Sequence, residues 1–92
     1  MNLGNLIDRL SELDSEDTIY AAEPWTEQSK AVVARESDNG GLPQVAVDGG
    51  MKYFLEVSGA QEFVEDWLSS ANQPPTPSAL RQRIVSYAIN DA

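Results

Sequence analysis

Three stretches of this chain place apolar residues at helical spacing, and between the first and second lies a segment that alternates and is punctuated by glycines. In residues 3–13, Leu3, Leu6, Ile7, Leu10 and Leu13 recur on one helix face, while Asp8, Arg9, Ser11 and Glu12 fill the other arc. The spacing predicts an amphipathic N-terminal helix, ended by the acidic run Asp14-Ser15-Glu16-Asp17. A second stripe, Ala60, Phe63, Val64, Trp67, Leu68 and Ala71, predicts a helix with Glu62, Glu65 and Asp66 on its solvent side. Ser58 with Gln61 three residues later reads as its capping box. Beyond the stiff segment Asn72-Gln73-Pro74-Pro75, Thr76 and Pro77 supply an N-cap and a first-turn proline. A third helix follows, with Leu80, Ile84, Tyr87 and Ala88 on its apolar face.

The middle of the chain reads as strands. Thr18–Ala22 is a short β-rich run stopped by Pro24, and Lys30–Glu36 carries Val32 and Val33 ahead of the reversal signal Asp38-Asn39-Gly40-Gly41. Gln44–Val47 and Met51–Val57 flank Asp48-Gly49-Gly50, in which Gly50 suits the left-handed position of a three-residue hairpin loop. The expectation is an α+β fold: an N-terminal helix, a four-stranded antiparallel meander, and two C-terminal helices packed on the sheet, all in one domain spanning residues 1–92.

Such a sheet is about 19 Å wide, whereas three helices side by side need about 25 to 30 Å. The two C-terminal helices, joined by a short linker, are therefore placed together on the inner face, with the first helix at the margin or behind the sheet. A hairpin pairing Val47 with Met51 would turn Val45, Val47, Tyr53, Leu55 and Val57 to one face. The other face would hold Ala46, Lys52, Phe54 and Glu56, and its apolar content predicts a cover: the first helix, a partner chain or a second copy.

Composition narrows the chemistry. The 92 residues contain no His and no Cys, and 15 acidic side chains against 6 basic ones give a net charge of −9. The commonest proton shuttle, the commonest metal ligand and the thiolate nucleophile are all missing. Neither the acid spacing nor the glycine pairs match a calcium loop or a phosphate cradle. A non-enzymatic protein without cofactor or metal is expected. The charge disfavours nucleic acid and anionic membranes as partners, and the opening residues lack the basic and apolar regions of a signal peptide, so a cytoplasmic location is expected.

The segment Glu23-Pro24-Trp25-Thr26-Glu27 places an aromatic outside any periodic stripe, amid acids that include Glu16 and Asp17. Trp is a frequent interface anchor. The leading expectation is a protein-binding module in which Trp25, Glu23, Glu27, Asp17 and Glu16 meet a basic protein. At class level, a small, acidic, cysteine-free α+β domain resembles bacterial immunity proteins and other inhibitors that neutralise basic nuclease toxins, which implies an inhibitor role. The alternative is a homodimer joined through the sheet face of Phe54, Lys52 and Glu56. The least favoured reading is a nucleic-acid mimic. Trp67, mid-stripe, is expected in the core, and Trp25 over a loop.

Overall fold

A computed structural model of the chain describes residues 1–36, 41–70 and 72–91. Its elements are α1 (Leu3–Asp8), a 3-10 turn (Leu10–Glu12), β1 (Thr18–Ala22), β2 (Ala31–Ala34), α2 (Gln44–Asp48), β3 (Met51–Glu56), α3 (Val57–Ser70) and α4 (Pro77–Asp91). The fold is α+β with a three-stranded antiparallel sheet in the order β2-β1-β3.

The expected meander is corrected at one segment. Residues 44–48 form a helix, so β1 becomes the central strand, paired with β2 on one side and β3 on the other. Pro43 precedes this helix and its carbonyl accepts from the Ala46 and Val47 amides at 3.0 and 3.1 Å. Gly49 caps the far end, and Gly50 takes φ +66°, the left-handed conformation that a glycine enters without penalty. The Gln44 side chain donates to Asp48 Oδ1 at 2.8 Å across one helical turn. Of the expected reversal at Asp38-Asn39-Gly40-Gly41, only Gly41 lies within the described residues.

A bulge corrects the face assignment of β3. Ile19 opposes Leu55 and Tyr20 opposes Tyr53, leaving Phe54 as the extra residue between them. Phe54 is thus turned to the helices and is fully buried, and Leu55 packs against the same cluster. Phe54 therefore does not lie on the outer face where the sequence reading placed it. Its companions separate: Lys52 opposes Ala21 and Glu56 opposes Thr18, at opposite ends of the strand.

On this inner face Ile19, Ala21, Ala31 and Phe54 share one core with Leu3, Leu6, Ile7 and Leu10 from the N-terminal segment, Val57 and Ala60 from α3, and Ile84, Val85 and Ala88 from α4. All three helical stripes thus meet the same face, contrary to the width argument. The reason is layering: α1 lies against β2 and α3 against β3, while α4 packs on α1 and meets α3 through Phe63 and Tyr87. The N-terminal helix is also shorter than predicted, breaking at Arg9 into the 3-10 turn. Asn2 caps it, its Oδ1 accepting from the Asn5 amide at 2.8 Å. Residues 1–3 also pair along the outer edge of β2, with Ala31 N donating to Met1 O at 3.0 Å and Leu3 N to Ser29 O at 2.8 Å.

Strand β3 runs directly into α3, so Ser58 lies within the first turn and the expected capping box does not form. Gln61 instead donates to the carbonyls of Leu10 and Leu13 at 2.9 and 3.2 Å, tying α3 to the 3-10 turn. At α4 the expected cap is present, Thr76 Oγ1 accepting from the Ala79 amide at 3.1 Å. The outer face is covered by α2: Tyr20, Ala46 and Met51 form a second, smaller core with Ala22, Val32 and Ala34 beside it. Among the described residues, no helix is long and apolar enough to cross a membrane.

Candidate functional site

The five residues expected to form one binding patch do not meet. Asp17 and Glu23 bracket β1, and six residues of extended chain span about 20 Å, so Glu16 and Asp17 lie at one end of the strand and Glu23, Trp25 and Glu27 at the other.

At the second end the side chains are tied into the fold. Trp25 is half-buried; its ring meets Phe54 edge-on, with centroids 5.0 Å apart and planes at 82°, and its indole N–H donates to the Ala21 carbonyl at 3.2 Å. It is therefore packed against the main core rather than free over a loop. Glu27 accepts from Arg81 Nε at 2.6 Å, and the same guanidinium donates to Asp8 at 2.8 and 3.1 Å, joining α1, the β1–β2 loop and α4. Bonding to Glu27, then to Asp8, raises the Arg81 pKa. Glu23 faces Lys52 Nζ at 3.6 Å. Trp67 shows the converse: half-buried, it lines a surface groove of about 560 Å³ with Phe63, Asp66, Ser70 and Arg83.

At the first end, antiparallel pairing gathers charge that is dispersed in sequence. Thr18 opposes Ala34 on one side and Glu56 on the other, so the residues just before β1, just after β2 and at the end of β3 converge. Arg35 reaches into the acidic run, its Nη1 donating to Glu16 at 3.0 Å, its Nε to Asp17 at 3.2 Å and its Nη2 to Asp14 at 3.5 Å. The bond to Glu16 is the main cause of a raised Arg35 pKa. Glu16, Asp17, Glu36 and Glu56, with Arg35, line a concavity of about 430 Å³. One cation therefore stands among four carboxylates there, with Asp14 alongside.

The field of these acids extends onto the outer face. Burial, then the charge of Glu56, raises the Tyr53 pKa, and burial followed by Glu36 raises that of Tyr20. Among the described residues the Tyr20 hydroxyl has no hydrogen-bond partner. Among the described residues no group of three or more His, Cys, Asp or Glu side chains is placed to hold a metal ion.

Sequence reading found Glu16 and Asp17 but missed Arg35, Glu36 and, in this role, Glu56. The signal for all three was strand register, which brings together the ends of segments far apart in the chain. No protein-family model matches this chain, and no curated protein or solved structure matches it significantly.

Proposed function

We propose that this chain is a non-enzymatic protein-binding module that docks the acidic end of its sheet on a basic protein, in the manner of an inhibitor or immunity-type protein. The observation that supports the reading most directly is the convergence of Asp14, Glu16, Asp17, Glu36 and Glu56 around one arginine. In a chain with net charge −9, this surface attracts a cationic one over roughly a Debye length of 8 to 10 Å. Steering of this kind raises association rates by about 10 to 1,000 fold and weakens with salt.

Immobilised full-length chain should retain a basic protein from extracts of its source cells, with retention lost as salt rises. The triple variant Glu16→Gln, Asp17→Asn, Glu56→Gln should slow association with the retained partner and flatten its salt dependence. A complex whose formation is indifferent to both salt and these substitutions would eliminate the proposal. The inhibitor role is tested separately, by whether the retained protein loses its own activity on binding.

A further inference from the structure

A three-stranded sheet has two edges, and among the described residues the chain itself pairs along only one of them. On β2, residues 1–3 pair with 29–31: Asn2 bridges Lys30, Ala31 N donates to Met1 O at 3.0 Å and Leu3 N to Ser29 O at 2.8 Å. Residues 32–34 are all of that strand that lies beyond this pairing. On the other side β3 is last in the order β2-β1-β3. Among the described residues no backbone hydrogen bond joins residues 51–55 to any segment but β1. The N–H and C=O groups on the outer side of β3 are therefore unpaired, and a row of that kind is a template for another strand.

The side chains agree with an uncovered flank. Central β1 is buried from Thr18 to Ala21, whereas β3 buries only Met51 and Phe54. Tyr53, on the outer face opposite Tyr20, is 42% exposed, and Leu55, on the inner face opposite Ile19, is half-buried. An added strand would cover both through cross-strand pairs, one on each face.

Charge and register select the occupant. The strand ends at Glu56, which lines the acidic concavity with Glu16, Asp17 and Glu36, so a segment laid along β3 delivers the side chains of one of its ends there. The cation of β3, Lys52, faces Glu23 near the opposite end of the strand. A second copy fits poorly. Antiparallel pairing of two β3 strands about Phe54 would set Lys52 against Glu56 of the copy. The bulge turns Lys52 to the inner face with Ala21 and Glu56 to the outer face with Thr18, while directly opposed residues must share a face. Self-pairing would also bring together two chains of net charge −9.

We propose that an extended segment of the basic partner adds to β3 as a fourth strand, its backbone pairing with residues 51–55 and its lysines or arginines reaching Glu16, Asp17, Glu36 and Glu56. This rests on the basic-partner reading and adds the mode of contact.

Two short peptides alternating lysine with valine test it, identical except that one is N-methylated at every backbone amide, which keeps charge and side chains and removes the backbone donors. Each is titrated into the full chain at low salt and followed by amide chemical shifts and nuclear Overhauser contacts. The unmethylated peptide should bind at least about tenfold tighter, show cross-strand contacts to residues 51–55 and slow the hydrogen exchange of their outward amides. Equal affinity for the two peptides, both weakened by the triple variant Glu16→Gln, Asp17→Asn, Glu56→Gln, removes strand addition and leaves acidic docking standing. Binding of neither peptide at low salt removes both readings. Cross-strand contacts to residues 32–34 instead would assign the partner to the β2 edge and overturn the proposal. A chain that dimerises by itself in sedimentation, with the amides of residues 51–55 protected, would give the edge to a second copy and overturn it as well.

Discussion

Truncating each tryptophan in turn separates core from surface, in the opposite sense to the one the apolar stripes suggest. Trp25→Ala removes an edge-on contact with the fully buried Phe54 and leaves the carbonyl of buried Ala21 without its indole donor. A Trp or Phe truncation in a core costs about 3 to 5 kcal/mol. Partial exposure of Trp25 lowers that figure, while loss of an aromatic pair worth about 0.5 to 1.5 kcal/mol and of a hydrogen bond worth about 1 kcal/mol restores part of it. The expected cost is about 3 kcal/mol. Trp67 meets Phe63 only at 6.4 Å, lines an open groove and lies outside the main core cluster, so its truncation should cost about 1 kcal/mol, near the range of surface changes.

For a domain of this size each kcal/mol moves the melting temperature by about 4 to 8 °C, so the two variants should differ by roughly 8 to 16 °C. Urea midpoints followed by circular dichroism give the same order. Because the chain has two tryptophans, each variant also leaves one native fluorophore, and Trp25 alone should emit to the blue of Trp67 alone. Should Trp25→Ala fail to fold, Trp25→Phe keeps a ring against Phe54 and loses only the indole bond. Equal or greater loss from Trp67→Ala would refute the packing described here.

Among the described residues the buried Tyr20 hydroxyl has no hydrogen-bond partner, so Tyr20→Phe should leave stability in urea unfolding at neutral pH unchanged or raise it by up to about 1 kcal/mol, and a clear loss would show that the hydroxyl is bonded. The raised pKa values of Tyr20 and Tyr53 mean that the folded state holds these protons more tightly than the unfolded chain does. Their contribution is therefore complete below about pH 10, the ordinary phenol value, and is lost as pH rises through the raised folded values; Tyr20→Phe should make that alkaline loss shallower. Arg35→Gln removes the cation among the carboxylates and should speed association with a basic partner at low salt in stopped-flow mixing, whereas an unchanged or slower rate would place the contact elsewhere. Gly50→Ala should destabilise by about 1 kcal/mol because φ is +66° there, while Gly59→Ala, inside α3 with open space around a new methyl, should stabilise by about 0.5 to 1 kcal/mol; thermal melts of the pair give opposite signs if the backbone assignments hold.

The long helices were legible because each carries a stripe over several turns, and the cap at Thr76 fell where the residue types place it. Helix α2 was not. Val45, Ala46 and Val47 alternate in size over too short a run for periodicity to separate helix from strand. The deciding marks were Pro43 at one end and Gly49-Gly50 at the other, a helix punctuation that a hairpin loop also explains. The bulge at Phe54 has no local signature, since Tyr53-Phe54-Leu55 reads as uninterrupted strand, yet it moves Phe54 from an outer face to the inner core.

The candidate site failed to show in sequence for a related reason. Proximity along the chain grouped Glu16 and Asp17 with Glu23 and Glu27, but β1 lies between the pairs and holds them about 20 Å apart. Because β1 is antiparallel to both neighbours, its beginning collects the exits of β2 and β3, and three segments distant in sequence supply one charged surface. A surface assembled this way distributes its potential over several carboxylates around Arg35, all within reach of one another at ordinary ionic strength. Neutralising any one of them leaves most of the field in place. The slope of association rate against salt therefore discriminates better than the affinity of a single-site variant, and it should flatten stepwise as Glu16, Asp17 and Glu56 are neutralised together.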